Sequence, residues 1–266
     1  MILDTIAEST KARVAKAKEG LSLEGLKALL YENGTVRSFN SRTAFAFERA
    51  IGAHPGQMAF ICEVKKASPS KGMIAEDFPY LEIGKEYEAA GATAISVLTE
   101  PEYFKGDDQY LKQISAEVHI PVLRKDFTVD EYQIYEAKAI GADAVLLICT
   151  LLDTETLKQY IRLCNELGLS ALVEAHTEKE VYSAVAAGAR IIGVNNRDLQ
   201  TFEVDLNNSI RLRELVPKDI LFIAESGIKT AQDIEQLRKA GVNGVLVGET
   251  LMRSPKKKEL LRELRG

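Results

Sequence analysis

Four times in this chain a glycine between small or apolar residues stands just ahead of an apolar run: Ala90-Gly91-Ala92, Ile140-Gly141-Ala142, Ala187-Gly188-Ala189 and Ala240-Gly241-Val242. Glycine just past a helix supplies the left-handed cap that ends it, and the apolar run behind it is the next strand. The glycines lie 50, 47 and 53 residues apart. That is about twice the length of one strand-helix unit, so these junctions recur at every second unit. Gly168, ahead of Ser170 to Glu174, marks a junction that falls between.

Reading outward from the junctions predicts strands over 59–65, 94–99, 121–126, 144–149, 171–175, 191–195, 220–225 and 244–247. Amphipathic segments separate them, such as 154–167, where Leu157, Ile161 and Cys164 fall at helical spacing. From Ala59 onward about 26 residues are available per unit, the compact end of the range for an α/β (β/α)8 barrel, a TIM barrel. An open doubly wound sheet also repeats strand-helix units, but eight evenly spaced ones favour closure. The expectation is one barrel domain over 1–266, with residues 1–55 as an N-terminal helical extension. Asp4 caps a first helix running through Lys18, and Ser22 opens a second. The extension is read either as a lid over an exposed barrel edge or as a cover near the active site.

With 46% hydrophobic and 27% charged residues the chain has the composition of an ordinary globular protein, which excludes disorder. A formal charge of −5 argues against a general nucleic-acid binder. No segment approaches the ~20 consecutive apolar residues of a membrane span. The first twenty residues mix Asp4, Glu8, Lys11, Arg13, Lys16 and Lys18 among apolar ones, unlike a signal peptide, so a cytoplasmic location is expected. Cys62, Cys149 and Cys164 include no C-x-x-C pair and are read as core.

Several predicted strands end in a residue able to do acid-base or oxyanion chemistry: Glu63 and Lys65, Lys125, Glu174, Asn195, and Glu225 with Ser226. Buried parallel strands should be almost wholly Val, Ile and Leu, so repeated terminal charges are hard to attribute to packing. In a barrel they converge at the carboxyl mouth, where barrel enzymes keep their chemistry. Glu63 and Lys65 point to the same face by strand alternation. Lys125 and Glu174, on opposite walls of a dry pocket, can divide acid and base roles, tuned by Asp126, Glu63 and Lys65.

Phosphate is the best-supported ligand group. Glu225-Ser226-Gly227-Ile228 and Val247-Gly248-Glu249-Thr250 are strand-to-helix turns whose glycines let backbone N–H groups approach an anion. The Glu249 side chain should point away, leaving its N–H to serve. Ser68 and Ser70 lie in a loop able to close over an anionic substrate, where Lys66 and Lys71 are read as solvated charges. Asn195 and Arg197 can orient a hydroxyl or carboxylate. Phe104, Phe127 and Leu146 can sandwich an aromatic ring, although Leu146 serves equally as core. Nucleotide-binding glycine motifs, a G-x-S-x-G elbow and paired zinc-ligand histidines are missing from the sequence, so neither cofactor nor metal is expected.

Taken together, Glu63-Val64-Lys65 with Ser68-Pro69-Ser70, Leu98-Thr99-Glu100 with Tyr103-Phe104-Gly106, Arg124-Lys125-Asp126-Phe127, Leu172-Val173-Glu174, Asn195-Asn196-Arg197-Asp198-Leu199, Glu225-Ser226-Gly227-Ile228 and Gly248-Glu249-Thr250-Leu251-Met252 closely resemble the indole-3-glycerol phosphate synthases of tryptophan biosynthesis. The motifs span the barrel in that family's order. The resemblance implies a carboxy-lyase: ring closure of 1-(2-carboxyphenylamino)-1-deoxyribulose 5-phosphate to indole-3-glycerol phosphate, with loss of carbon dioxide and water. It implies Glu63, Lys65, Lys125, Glu174, Asn195 and Ser226 as catalytic residues. It further implies that Arg197 and Glu225 orient substrate, that Ser68, Gly227, Gly248 and Glu249 hold phosphate, and that Phe104, Phe127 and Leu146 hold the ring. The division of acid roles between Lys65 and Lys125 stays open, as does association with other enzymes of the pathway. The alternatives are another phosphosugar barrel, an isomerase or a Schiff-base aldolase using Lys125, and a non-catalytic phosphate-ligand binder.

Overall fold

Eight parallel strands close into a barrel in the computed structural model, which describes residues 2–32, 34–198 and 201–266. They are β1 (Ala59–Val64), β2 (Ala94–Leu98), β3 (Val122–Lys125), β4 (Ala144–Ile148), β5 (Ser170–Ala175), β6 (Ile191–Asn195), β7 (Leu221–Glu225) and β8 (Gly244–Val247). Each pairs with its sequence neighbour, and β8 closes on β1 with Gly244 opposite Ala59. Both β1 and β4 are buried at every residue, as strands covered on two faces must be. The predicted strands are all present within about a residue. Lys65 lies one step past its strand, and Ala175 extends β5 beyond Glu174.

The barrel helices are α4 (Tyr80–Ala89), α5 (Asp108–Glu117), α6 (Glu131–Ala139), α7 (Thr154–Glu166), α8 (Glu178–Ala187), α9 (Asn207–Arg213), α10 (Ala231–Lys239), α11 (Glu249–Met252) and α12 (Lys257–Arg265). Asp107, Asp130 and Asp153 cap α5, α6 and α7, and Thr177 and Thr230 open capping boxes on α8 and α10. Each cap contributes about 1 kcal/mol and fixes where the loop from the mouth ends. At the other end Gly91, Gly141, Gly188 and Gly241 have φ of 88°, 88°, 86° and 81°, the left-handed geometry their junctions require.

The N-terminal extension divides between the two ends of the barrel. Helix α1 (Ile2–Gly20) crosses the carboxyl mouth, where Arg13 donates two hydrogen bonds to Asp126 at 2.7 and 3.0 Å and Lys18 pairs with Asp130 at 2.7 Å. Helix α2 (Leu23–Leu30), capped by Ser22, packs on α6. Helix α3 (Ala46–Gly52) sends Phe47 and Ile51 into the opposite opening, against Ala59, Ile61, Ile191 and Ile223. The extension thus places α1 at the cavity end and α3 at the opposite end of the barrel. The sequence had not disclosed α3, which has seven residues and begins at Phe45 without a side-chain cap.

Two apolar layers result. The interior layer runs from Phe47 through Leu123 and Leu172 up to Leu146, Ile148 and Leu246 under the mouth. The outer layer lies between strands and helices and includes Cys62 and Cys164, buried free thiols pushed up to about 12 by burial. Among the described residues no helix is long and apolar enough to cross a membrane.

Candidate active site

Above the interior layer lies a cavity of about 320 Å³ at the carboxyl mouth, closed from above by Ile2, Leu3 and Ile6 of α1. All the candidate residues line it. Glu63, Lys65 and Ser68 come from β1 and its loop, Phe104 follows β2, Lys125 and Phe127 end β3, and Leu146 lies in β4. Glu174 comes from β5, Asn195 and Arg197 from the end of β6, Glu225, Ser226 and Gly227 from the end of β7, and Gly248 and Glu249 from the end of β8. Leu199 lies outside the described residues.

The floor carries two ion pairs. Lys65 Nζ meets Glu63 Oε1 at 2.5 Å, as strand alternation predicts for residues two apart. Lys125 Nζ donates to Glu174 Oε2 at 3.1 Å and lies 3.6 Å from Glu225 Oε2. Burial works against charge on Lys125, but Glu174, Glu225 and Glu63 overcome it and raise its pKa, so the ammonium form is held. Burial likewise opposes charge on Glu174, yet Lys125, then His176, hold its pKa below the usual carboxylate range.

Glu225 behaves differently. Burial, with the like charges of Glu174 and Glu63 and despite Lys125, pushes it up to about 8. The two acids beside Lys125 are thus driven apart, Glu174 towards the anion and Glu225 towards the neutral acid. Its Oε1 has no hydrogen-bond partner among the described residues, and a side chain at Gly193 would run into that oxygen. A glycine inside the apolar run of β6 was the sequence signal for such an approach.

Asp126 does not tune Lys125. Alternation turns it outward to Arg13 and Thr99, with Arg124 at 3.6 Å. It anchors the cover helix instead.

The apolar wall also differs from expectation. Phe104 and Phe127 have ring centroids 5.9 Å apart and tilted by 42°. Sandwiching a third ring between these two needs about 7 Å between parallel faces, two van der Waals contacts, so they form one side of a slot that Leu146 and Ile148 also line. Glu100 fixes Phe104: its buried carboxylate accepts the N–H groups of Glu102, Tyr103 and Phe104 at 2.9, 2.7 and 2.9 Å. Gly106 lets that loop lie on the Leu98 backbone, where a side chain would collide.

On the other side stand the two glycine turns. Just ahead of α10, Asp233 accepts the N–H groups of Lys229 and Thr230, and the Thr230 hydroxyl accepts that of Asp233. Upstream, in the turn after β7, Ser226 and Gly227 both have left-handed φ, 66° and 84°. Asn196 holds that turn: its amide donates to the Ser226 carbonyl at 3.2 Å, and its oxygen accepts from Ser209 N and Oγ at 3.0 and 2.8 Å. After β8, the first N–H groups of α11 have no intrahelical partner. The Glu249 carboxylate pairs with Arg253 at 3.1 Å and lies 3.8 Å from Lys71, which also lines the cavity.

The glycines serve a purpose beyond ligand approach. A side chain at Gly227 would strike Val204, and one at Gly248 would strike the Glu63 carboxylate and stand 3.0 Å from Lys65 Nζ. Ser68 is set by a two-residue antiparallel ladder, Ala67–Ser68 with Gly72–Met73. Asn195 accepts the Arg197 N–H at 3.1 Å, with its amide 3.5 Å from Glu174 Oε1, and Arg197 donates to the Phe202 carbonyl at 3.1 Å.

The family model of indole-3-glycerol phosphate synthase matches residues 3–264. The chain belongs to this family. A synthase of that name from Ruminiclostridium cellulolyticum is 61% identical over 266 residues, covering all of this chain and 99% of the relative. Another from Lachnoclostridium phytofermentans is 54% identical, with 100% and 99% covered. Among solved structures, a 3-hexulose-6-phosphate synthase from Salmonella typhimurium aligns with a TM-score of 0.65 at 17% identity, covering 78% of this chain and 97% of that one. At that identity the likeness shows the shared barrel alone.

Proposed function

We propose that this chain converts 1-(2-carboxyphenylamino)-1-deoxyribulose 5-phosphate to indole-3-glycerol phosphate, releasing carbon dioxide and water. The observation that carries the reading is the floor itself, with two lysine-carboxylate pairs and the buried Glu225 between an apolar wall and two glycine turns. A phosphorylated sugar tail and an aromatic ring need those two ends, and the bond changes fall between them. Family membership supports the same reaction.

The aryl ring lies on the Phe104–Phe127 wall and the phosphate at the Gly227 and Gly248 turns. As the aryl carbon attacks the ribulose carbonyl, negative charge grows on its oxygen, and the Lys125 ammonium protonates it. Carbon dioxide then leaves and the ring regains aromaticity. Loss of water follows: Glu174 takes the proton, and Lys65, held by Glu63, assists departure of hydroxide. Each acid or base step of this kind is worth about 10² to 10⁴ in rate. When Lys125 turns to substrate, Glu174 loses its strongest cationic partner and becomes a better base. Asn195, Arg197 and Ser226 orient the substrate's hydroxyl and carboxylate groups, and Ser68 with the Lys65 side of the floor assists the phosphate.

The substrate is a small phosphorylated molecule, and the site of action is the cytoplasm, which cell fractionation tests. Barrel and extension act as one unit, because Arg13–Asp126 at one end and Arg42–Asp143, 2.7 Å apart, at the other tie them together. A single unfolding transition checks this. Incubation with the carboxyphenylamino substrate should generate indole fluorescence and carbon dioxide in equal amounts. Binding without turnover would reject the proposal in favour of a non-catalytic barrel.

A further inference from the structure

Glu174 is held from two directions. While its Oε2 faces Lys125, its Oε1 lies 3.5 Å from His176 Nε2, and the other ring nitrogen, Nδ1, lies 3.5 Å from Glu180 Oε2. These are ion-pair contacts, longer than ordinary hydrogen bonds, and neither ring nitrogen has a hydrogen-bond partner among the described residues. The ring is 13% exposed and borders a second cavity, beside Thr150, Asn195 and Arg197. It does not line the substrate cavity.

Glu180 is fixed independently. Its carboxylate accepts the N–H groups of His176 and Thr177 at 2.6 and 3.1 Å and the Thr150 hydroxyl at 2.7 Å, and it is the N3 member of the α8 capping box. It cannot swing away without uncapping the helix. The titratable groups around the ring are mainly acids: Glu174 from β5, Glu180 from α8 and Glu225 from β7, with Asp198, Glu203 and Asp205 along the open cavity. Arg197 stands on that rim as a cation, and Cys149 beside Glu180 stays a thiol, pushed up to about 12 by burial. Burial disfavours charge on His176, but Glu180, Glu174 and Glu225 outweigh it and raise its pKa.

We infer that His176 is a positioning residue for the reaction: as an imidazolium anchored by Glu180, it fixes Glu174 Oε1 and keeps Glu174 ionised when Lys125 turns to the substrate. This rests on the function proposed above. Without His176, a buried carboxylate deserted by Lys125 would have, among the described residues, the Asn195 amide beside it and would take up a proton before it was needed as a base. The sign follows from the raised pKa. The imidazolium is present at low pH and is lost as pH rises through that value, so its support for Glu174 fades on the basic side.

Two measurements test this. The chain has three histidines, so His176→Gln identifies the His176 ring resonances in an NMR titration. In the wild type His176 should titrate above its ordinary value, and both Glu180→Gln and Glu174→Gln should bring it down. A His176 that titrates normally, or is unmoved by either change, overturns the inference whether or not the protein turns the substrate over. In the second measurement, His176→Gln should lower kcat about tenfold, with KM changed less than about twofold. The acidic limb of its kcat profile should move to higher pH, while Glu180→Gln should move the basic limb to lower pH. A His176→Gln profile that is lower but unshifted would show a merely structural side chain and defeat the inference. An inactive wild type would instead reject the proposed function, leaving the titration to decide on His176.

Discussion

Lys125 Nζ and Glu174 Oε2 meet at 3.1 Å across the barrel mouth, joining the ends of two strands whose residues are 49 apart in sequence. With Glu225 and Glu63 also near, the lysine stays an ammonium ion, whereas a Schiff-base lysine must be neutral. Borohydride added during turnover should therefore leave the protein mass unchanged. Lys125→Met should lose turnover by roughly 10² or more with substrate affinity less affected. A trapped adduct at Lys125 would instead establish the aldolase-like reading.

Glu174→Gln should also lower turnover by roughly 10² or more, yet change unfolding free energy by only about 1 kcal/mol. The reason is compensation, since Glu174 is one of the like charges keeping Glu225 protonated. With glutamine at 174, Glu225 ionises and takes over Lys125. Unchanged turnover would remove Glu174 from the mechanism, and a collapse in stability would show that Glu225 does not compensate.

Glu225 gives a stability signature of its own. Its folded pKa of about 8 lies above its ordinary 4.5, so the folded state holds a proton that the unfolded state has released. Its contribution is full below about 4.5 and declines as pH rises towards 8. Glu225→Gln imitates the protonated form. Its unfolding free energy should match wild type at pH 4 and exceed it at pH 8.5 by on the order of 1–3 kcal/mol. Equal stabilities at both values would refute the neutral acid.

Thr250 donates to the Ile228 carbonyl at 2.8 Å and so laces together the two glycine turns proposed to bind phosphate. Thr250→Val keeps the shape and removes the donor. Substrate KM and the inhibition constant of inorganic phosphate should rise together by about 3- to 10-fold, one lost hydrogen bond of roughly 0.5–1.5 kcal/mol, with kcat nearly unchanged. Weakened substrate binding with undiminished phosphate inhibition would place the phosphate elsewhere.

At Gly248 the expectation shifts from binding to chemistry. A methyl group there meets the Glu63 carboxylate and Lys65 before it meets a ligand. Gly248→Ala should therefore depress kcat at least as strongly as it weakens phosphate binding, as steady-state kinetics with phosphate as competitor will show. A change in phosphate affinity alone would contradict this geometry.

Much of the molecule was legible in its order of residues. Left-handed glycines must follow helices, and apolar runs covered on both faces must be strands, so Gly91, Gly141, Gly188 and Gly241 announced the alternation and its period. Charges at the ends of such runs had no packing role, which exposed Glu63, Lys65, Lys125, Glu174 and Glu225 as one constellation before any contact was known. Local alternation even fixed the Glu63–Lys65 pair. What the sequence could not disclose depends on which distant groups meet. Asp126 looked like a partner of Lys125 because it is next in line, but adjacent strand residues face opposite ways, and closure of the barrel hands it to Arg13 on the cover helix. Glu225 and Glu174 are the same kind of group in the same kind of position. Only the folded surroundings, which bring Lys125 and His176 closest to Glu174 and leave one oxygen of Glu225 without a hydrogen-bond partner among the described residues, push one towards the anion and the other towards the neutral acid. Short-range pattern determines element type and residue facing, whereas protonation is set by through-space neighbours and burial, and those exist only once the barrel has closed.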